Sequence, residues 1–131
     1  MKLSIAPEVA KALAANAPVV ALESTVIAHG LPRPRNLTTA RALETEIRAL
    51  GVVPATIALH DGVAVVGAGD VLLERLANET GVAKVSIRDI APVLAARNDS
   101  SNDFRYDSSC SGVLLLESFG SLPLTWLRSF T

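Results

Sequence analysis

The sequence predicts an α/β fold of the layered α/β/α kind with a mostly parallel sheet. Three observations predict it. Short apolar runs alternate with helix-period segments through residues 1–97. The run Val19-Val20-Ala21-Leu22 is apolar without alternation, as in a strand buried on both faces. Half of the 131 residues are hydrophobic, enough to fill a core between layers.

The elements follow in chain order. Pro7 suits a first helical turn, and Val9 and Leu13 share one face of a helix running through Ala17. Pro18 stops it, and the strand over 18–25 follows, with Glu23 at its carboxyl end. A loop rich in Gly and Pro comes next, His29-Gly30-Leu31-Pro32-Arg33-Pro34-Arg35, with Asn36 as the N-cap of a second helix. Ala40, Leu43, Ile47 and Leu50 form its apolar stripe, and Glu44 and Arg48 pair at i,i+4. Gly51 takes the left-handed position past its end. Val53 to Leu59 and Val63 to Val66 read as strands linked as a hairpin through His60-Asp61-Gly62. Asp70 caps a helix carrying Leu72, Leu73 and Leu76. Ala83-Lys84-Val85-Ser86 is a short strand, and Asp89 caps a last helix with Pro92 in its first turn. Helices are expected on both faces of the sheet.

Twelve basic and 13 acidic residues give a net charge of -1, which argues against a nucleic-acid binder built on a basic surface. No apolar run approaches the roughly 20 residues of a membrane helix, and the N-terminus has no signal-peptide core. One cysteine, Cys110, forms no internal disulfide, which fits a reducing, cytoplasmic setting. With two histidines, it also argues against a structural zinc site.

Composition breaks near residue 98. Residues 1–97 hold 20 Ala, 3 Ser and no aromatic residue; residues 98–131 hold no Ala, 8 Ser and all five aromatics. Two regions are expected: 1–97 as the α/β part and 98–131 as a divergent tail that packs poorly on it. Within the tail, 112–116 reads as strand or helix, and periodicity cannot choose.

Several residues are candidates for chemistry. Val65-Val66-Gly67-Ala68-Gly69 before a helix invites a dinucleotide reading, but Leu72 stands where the fingerprint needs a third small residue. A tight strand–helix turn explains it as well. Glu23 ends an apolar strand beside a Gly/Pro loop, where ligands bind in open α/β sheets. Half-desolvated there it becomes a general acid; solvated, it is an ordinary strand-end carboxylate. Lys84 lies in an apolar strand, where burial favours an amine that binds a carbonyl or phosphate. Its stem could equally pack while its head reaches water. Ser86, Arg88 and Asp89 at a helix start suit an anion. Arg33 and Arg35 are phosphate contacts or surface charges, and His29 is a proton shuttle or a loop cap. No G-x-S-x-G elbow supports a serine hydrolase.

Val20-Ala21-Leu22-Glu23-Ser24-Thr25-Val26-Ile27-Ala28-His29-Gly30, with Pro32, Pro34 and Asn36, closely resembles the signature of pseudouridine-5′-phosphate glycosidases, the family of indigoidine-cluster A-type proteins. Gly51 to Ala58, Gly62-Val63 and Lys84-Val85-Ser86-Ile87-Arg88-Asp89 fit it too, so the resemblance covers about residues 5–97. It implies a C-glycosidase that reversibly splits pseudouridine 5′-phosphate, a nucleoside monophosphate, into uracil and ribose 5-phosphate. The C–C bond has no leaving-group oxygen to protonate, so paired-carboxylate hydrolysis does not apply. The family is thought to open the ribose and form a lysine imine that acts as electron sink. The resemblance makes Glu23 the proton donor and Lys84 a substrate-binding residue. It further implies an α/β/α fold, a trimer, and manganese beside the site. No lysine follows Lys84, and no aspartate of the tail sits in a matching metal motif. The chain is therefore expected to be a truncated, inactive form with an incomplete fold. The alternatives are a fragment that associates with itself or with full-length subunits, and a small nucleotide-binding domain using Gly67-Ala68-Gly69.

Overall fold

A computed structural model describes residues 2–85, residue 90 and the strand at 112–114. The first element, β1 (Lys2–Ile5), leads into helix α1 (Pro7–Ala14), with Pro7 in its first turn. Strand β2 (Val19–Leu22) ends in a π-helical turn, Val26–Gly30. Helix α2 (Arg35–Ala49) is followed by β3 (Val53–His60) and β4 (Val63–Val66). Helix α3 (Asp70–Asn78), β5 (Ala83–Val85) and β6 (Gly112–Leu114) complete the described elements.

The six strands form one sheet, ordered β1-β4-β3-β6-β5, with β2 also paired to β3. Three of the five described pairings are parallel: β1 with β4, β2 with β3, and β5 with β6. The mostly parallel sheet predicted from the sequence is therefore present. The exceptions are the β3–β4 hairpin and the β3–β6 pair. The hairpin turns at Asp61 and Gly62, both with positive φ (51° and 66°), as a two-residue turn matching strand twist requires. Three residues of the 98–131 segment thus belong to the sheet. The candidate anion site at 86–89, the helix expected after it and the rest of the tail lie outside the described residues.

Strand alternation divides the core. On one face, Val9 and Ala12 of α1 pack on Val19, Ala55 and Val66. On the other, the π-helical turn, α2 and α3 bring Ile27, Ala40, Leu73, Leu76 and Ala77 onto Ala58. The layering is α/β/α. Gly51 holds φ +74 past α2, and Arg48 bonds Glu44 at 3.3 Å, both as the sequence pattern requires.

Four local expectations are corrected. Strand β2 stops at Leu22, and Val20, facing the α2 side with its partner Pro54, stays 36% exposed while Leu22 is half-buried, so that face of β2 is only partly covered. Helix α1 ends at Ala14 rather than Ala17. The stripe of α2 buries Ala40, but Leu43 and Leu50 remain 44% and 80% exposed, because only the Ala40 edge of the helix meets the sheet and α3. Neither proposed N-cap acts as one. Gly69 occupies the position before α3, and Asp70 instead joins Arg41 at 3.1 Å. Pro34 occupies the position before α2, and Asn36 sits inside the first turn, 2% exposed.

Candidate active site

The Glu23-Ser24-Thr25 segment is the hinge between β2 and the π-helical turn. Ser24 is fully buried, and its Oγ donates to the Ile57 carbonyl at 2.6 Å, which ties the segment to the middle of β3. The Ser24 carbonyl accepts from the amides of Ile27 and Ala28, which starts the following turn. Thr25 Oγ1 is buried with no hydrogen-bond partner, alone in this respect among the described residues. Glu23 is the first residue beyond β2 and is exposed.

The chain then passes through the Pro-rich loop, which two side chains fix. Arg33 Nη2 donates to the Glu79 carbonyl at 2.7 Å. Asn36 Nδ2 donates to the carbonyls of Ile27 and Ala77, at 2.8 and 2.9 Å, while Asn36 Oδ1 accepts from the Leu37 amide. Two carbonyls around one nitrogen also fix which way the amide points. Sequence reasoning found Asn36 but gave it the wrong task. Its donors are needed here more than its acceptor, and nothing in local sequence shows where Ala77 lies.

Lys84 is the middle residue of β5 and is exposed. Ala83 and Val85 pack with Ile57, Leu59 and Ala64, so alternation turns Lys84 to the face that carries α2 and α3. It is level with Val113 of β6, the strand that separates β5 from β3. Glu23 emerges beside β3, one residue past the Leu22–Thr56 register pair. No hydrogen bond or ion pair joins Glu23 to Lys84 among the described residues, and those residues bury neither. His29 and Arg35 are exposed as well. Among the described residues there is no group of three His, Cys, Asp or Glu side chains that could hold a metal.

The Gly67-Ala68-Gly69 turn is closed on the protein itself. The amides of Gly67 and Ala68 both donate to the Thr56 carbonyl, at 3.0 and 2.9 Å. Amides that would cradle a pyrophosphate are thus already used. A cleft of about 410 Å³ beside this turn is lined by Arg41, Glu44, Arg48 and Asp70, among others. Its charges satisfy one another. Glu74 and Asp70 hold the Arg41 guanidinium above its ordinary pKa, chiefly through the Glu74 hydrogen bond. Arg48 is held up in the same way, chiefly by Glu8. Glu44 also accepts from the buried Thr56 hydroxyl at 2.6 Å. No helix among the described residues is long and apolar enough to cross a membrane.

The sequence and the fold are both similar to those of known proteins. The chain is 57% identical over 95 residues to a pseudouridine-5′-phosphate glycosidase of Jannaschia sp., spanning 72% of this chain and 32% of that one. It is 54% identical over 130 residues to the enzyme of that name from Streptomyces griseus, spanning 95% of this chain and 40% of that one. The second alignment therefore runs past residue 97. The chain spans a third or so of the curated relatives it matches. Among solved structures, the prealnumycin C-glycosynthase AlnA in complex with ribulose 5-phosphate superposes with a TM-score of 0.68 at 36% identity, covering 88% of this chain and 33% of that one. An indigoidine synthase A-like protein from Thermotoga maritima gives 0.67 at 26% identity, again over 88% and 33%. Residues 8–103 match the family model described as indigoidine synthase A like protein, and with these relatives the chain belongs to that family.

Proposed function

We propose that this chain carries part of the active site of a C-glycosidase acting on pseudouridine 5′-phosphate, with Glu23 as proton donor and Lys84 as the residue that holds the sugar phosphate. The observation that carries the reading is the family match over residues 8–103, which contains both side chains in their motifs. The sugar phosphate in the related C-glycosynthase supports the ligand class. Exposure of both residues is compatible with these roles, because each must reach a ligand that arrives from solvent. In the overall reaction one water is consumed, the C–C bond between base and ribose breaks, uracil carbon gains a proton, and ribose 5-phosphate leaves. Glu23 supplies the proton. The imine that the family mechanism calls for needs a second lysine, and the sequence has only Lys2, Lys11 and Lys84. No step of this reading passes through a metal.

The 131-residue chain is therefore expected to bind ribose 5-phosphate without turning over pseudouridine 5′-phosphate. NMR titration with ribose 5-phosphate should shift the signals of Glu23 and Lys84, and Lys84→Ala should weaken binding about tenfold, as loss of a charged phosphate contact does. Titration that leaves both residues unmoved, or binding indifferent to Lys84→Ala, refutes the assignment. Light scattering on the same sample tests the trimer that the resemblance implies.

A further inference from the structure

The π-helical turn Val26–Gly30 runs into Pro32, which cannot supply the donor that the Ile27 carbonyl needs. In π spacing the partner of the Ile27 carbonyl is the nitrogen of Pro32, which bears no hydrogen. The Ala77 carbonyl lies in the last turn of α3, where carbonyls lack partners within the helix. Asn36 Nδ2 serves both, at 2.8 and 2.9 Å, from a side chain 2% exposed. One amide thus closes the end of the turn onto α3. The other end of the same turn is the Ser24 carbonyl, which accepts from Ile27 and Ala28, one residue from Glu23. The Ile27–Ala28 peptide is shared by both ends: its N–H, from Ala28, donates to the Ser24 carbonyl, and its C=O, from Ile27, accepts from Asn36.

We infer that Asn36 is a positioning residue for Glu23, acting through the Ile27–Ala28 peptide and the Ser24 carbonyl to fix where the strand-end carboxylate emerges. The inference rests on the glycosidase reading for what Glu23 does, though not for how it is held. Without the two donors, the turn is free to unwind from its carboxyl end, and Ser24 then keeps only its own bond to Ile57.

The test compares the full chain with Asn36→Asp, Asn36→Ala and a control, Val9→Ala, which opens the core on the opposite face of the sheet. Asn36→Asp keeps the acceptor for the Leu37 amide, removes the donors and sets a carboxylate oxygen against the two carbonyls, whereas Asn36→Ala removes the donors without adding charge. Amide exchange is read residue by residue at equal folded fraction, alongside binding of ribose 5-phosphate. Both Asn36 variants should speed exchange of the 24–30 amides about tenfold beyond any global change, the local cost of lost buried hydrogen bonds, and diminish the shift of the Glu23 signals on titration with ribose 5-phosphate. Val9→Ala should change all core amides together and leave binding per folded molecule intact. Unchanged exchange at 24–30 in Asn36→Asp, or an equal local change in Val9→Ala, overturns the inference. A wild-type chain that binds no ribose 5-phosphate refutes the glycosidase reading, and the exchange comparison alone then decides the positioning role.

Discussion

Replacing Gly67 by alanine should unfold this protein more readily than any other single methyl added to its loops. Gly67 holds φ +91, a region that costs a residue with a Cβ roughly 1–3 kcal/mol. The added methyl would stand 2.7 Å from Ala6 Cβ and 2.9 Å from Val9 Cγ2, closer than real Cβ atoms come. Neither neighbour yields easily. Ala6 Cβ is fixed to a backbone whose amide bonds the Val66 carbonyl at 2.9 Å, and Val9 is 1% exposed in the core. Overpacking of this kind adds about 1–3 kcal/mol. Together the two effects amount to about 2–6 kcal/mol, or roughly 8–25 °C in Tm for a chain of this size. Urea unfolding followed by circular dichroism measures it, with an unchanged m-value showing that only stability moved. The internal control is Gly69→Ala. Gly69 has φ -75 and nothing within 4 Å of an added methyl, so the change should cost only what alanine loses as a helix N-cap, about 1 kcal/mol or less. A Gly67→Ala variant destabilised by less than about 1 kcal/mol, or matched by Gly69→Ala, refutes the packing argument and reopens a ligand role for the turn.

Other outcomes can be checked on the same chain. Leu73→Ala, at a residue 1% exposed, should cost about 2–5 kcal/mol by chemical denaturation. Leu50→Lys, at a residue 80% exposed, should stay within about 0.5 kcal/mol in the same experiment. Thr25→Val keeps the shape and removes an unpartnered hydroxyl, so stability should hold or rise by up to about 1 kcal/mol; a clear loss would reveal a partner. Glu23→Gln should leave the thermal melt within about 1 °C, because an exposed side chain without a hydrogen bond contributes little to folding. A drop of several degrees would make it structural.

The parts of the fold legible in sequence are those decided by near neighbours. The Asp61-Gly62 turn, the Glu44–Arg48 pair and the glycine after α2 each depend on residues a few positions apart. Burial of α2 was not legible, because Leu43 and Leu50 follow the right period but only the Ala40 edge meets α3 and the sheet. The two misplaced caps failed for a related reason. Asn36 and Asp70 both carry the side chains helix starts favour, yet each has a stronger partner from a distant segment: the Ala77 carbonyl for one, Arg41 for the other. At the site, the motif drew attention to Glu23, Lys84 and Asn36. It could not show that β6, drawn from the compositionally distinct segment, stands between the strand of Lys84 and β3.

The hairpin has a kinetic consequence. Of the described strand pairings, β3 with β4 is the one made between sequence neighbours, whereas the others join segments about 30 residues apart or more. Closing those long loops costs entropy before any contact is gained, while a two-residue turn closes within about 1–10 μs. The hairpin is therefore expected to be the earliest structured unit, with β2 and β1 added to its two strands afterwards. Since β2 brings the Glu23-Ser24-Thr25 segment with it, the candidate site would be assembled late, after the scaffold that receives it. Pulse-labelled amide exchange during refolding tests the order. Protection of Leu59 and Ala64 before Ala21 and Leu3 is the expected sequence, and simultaneous protection of all four would remove the basis for a hairpin-first route.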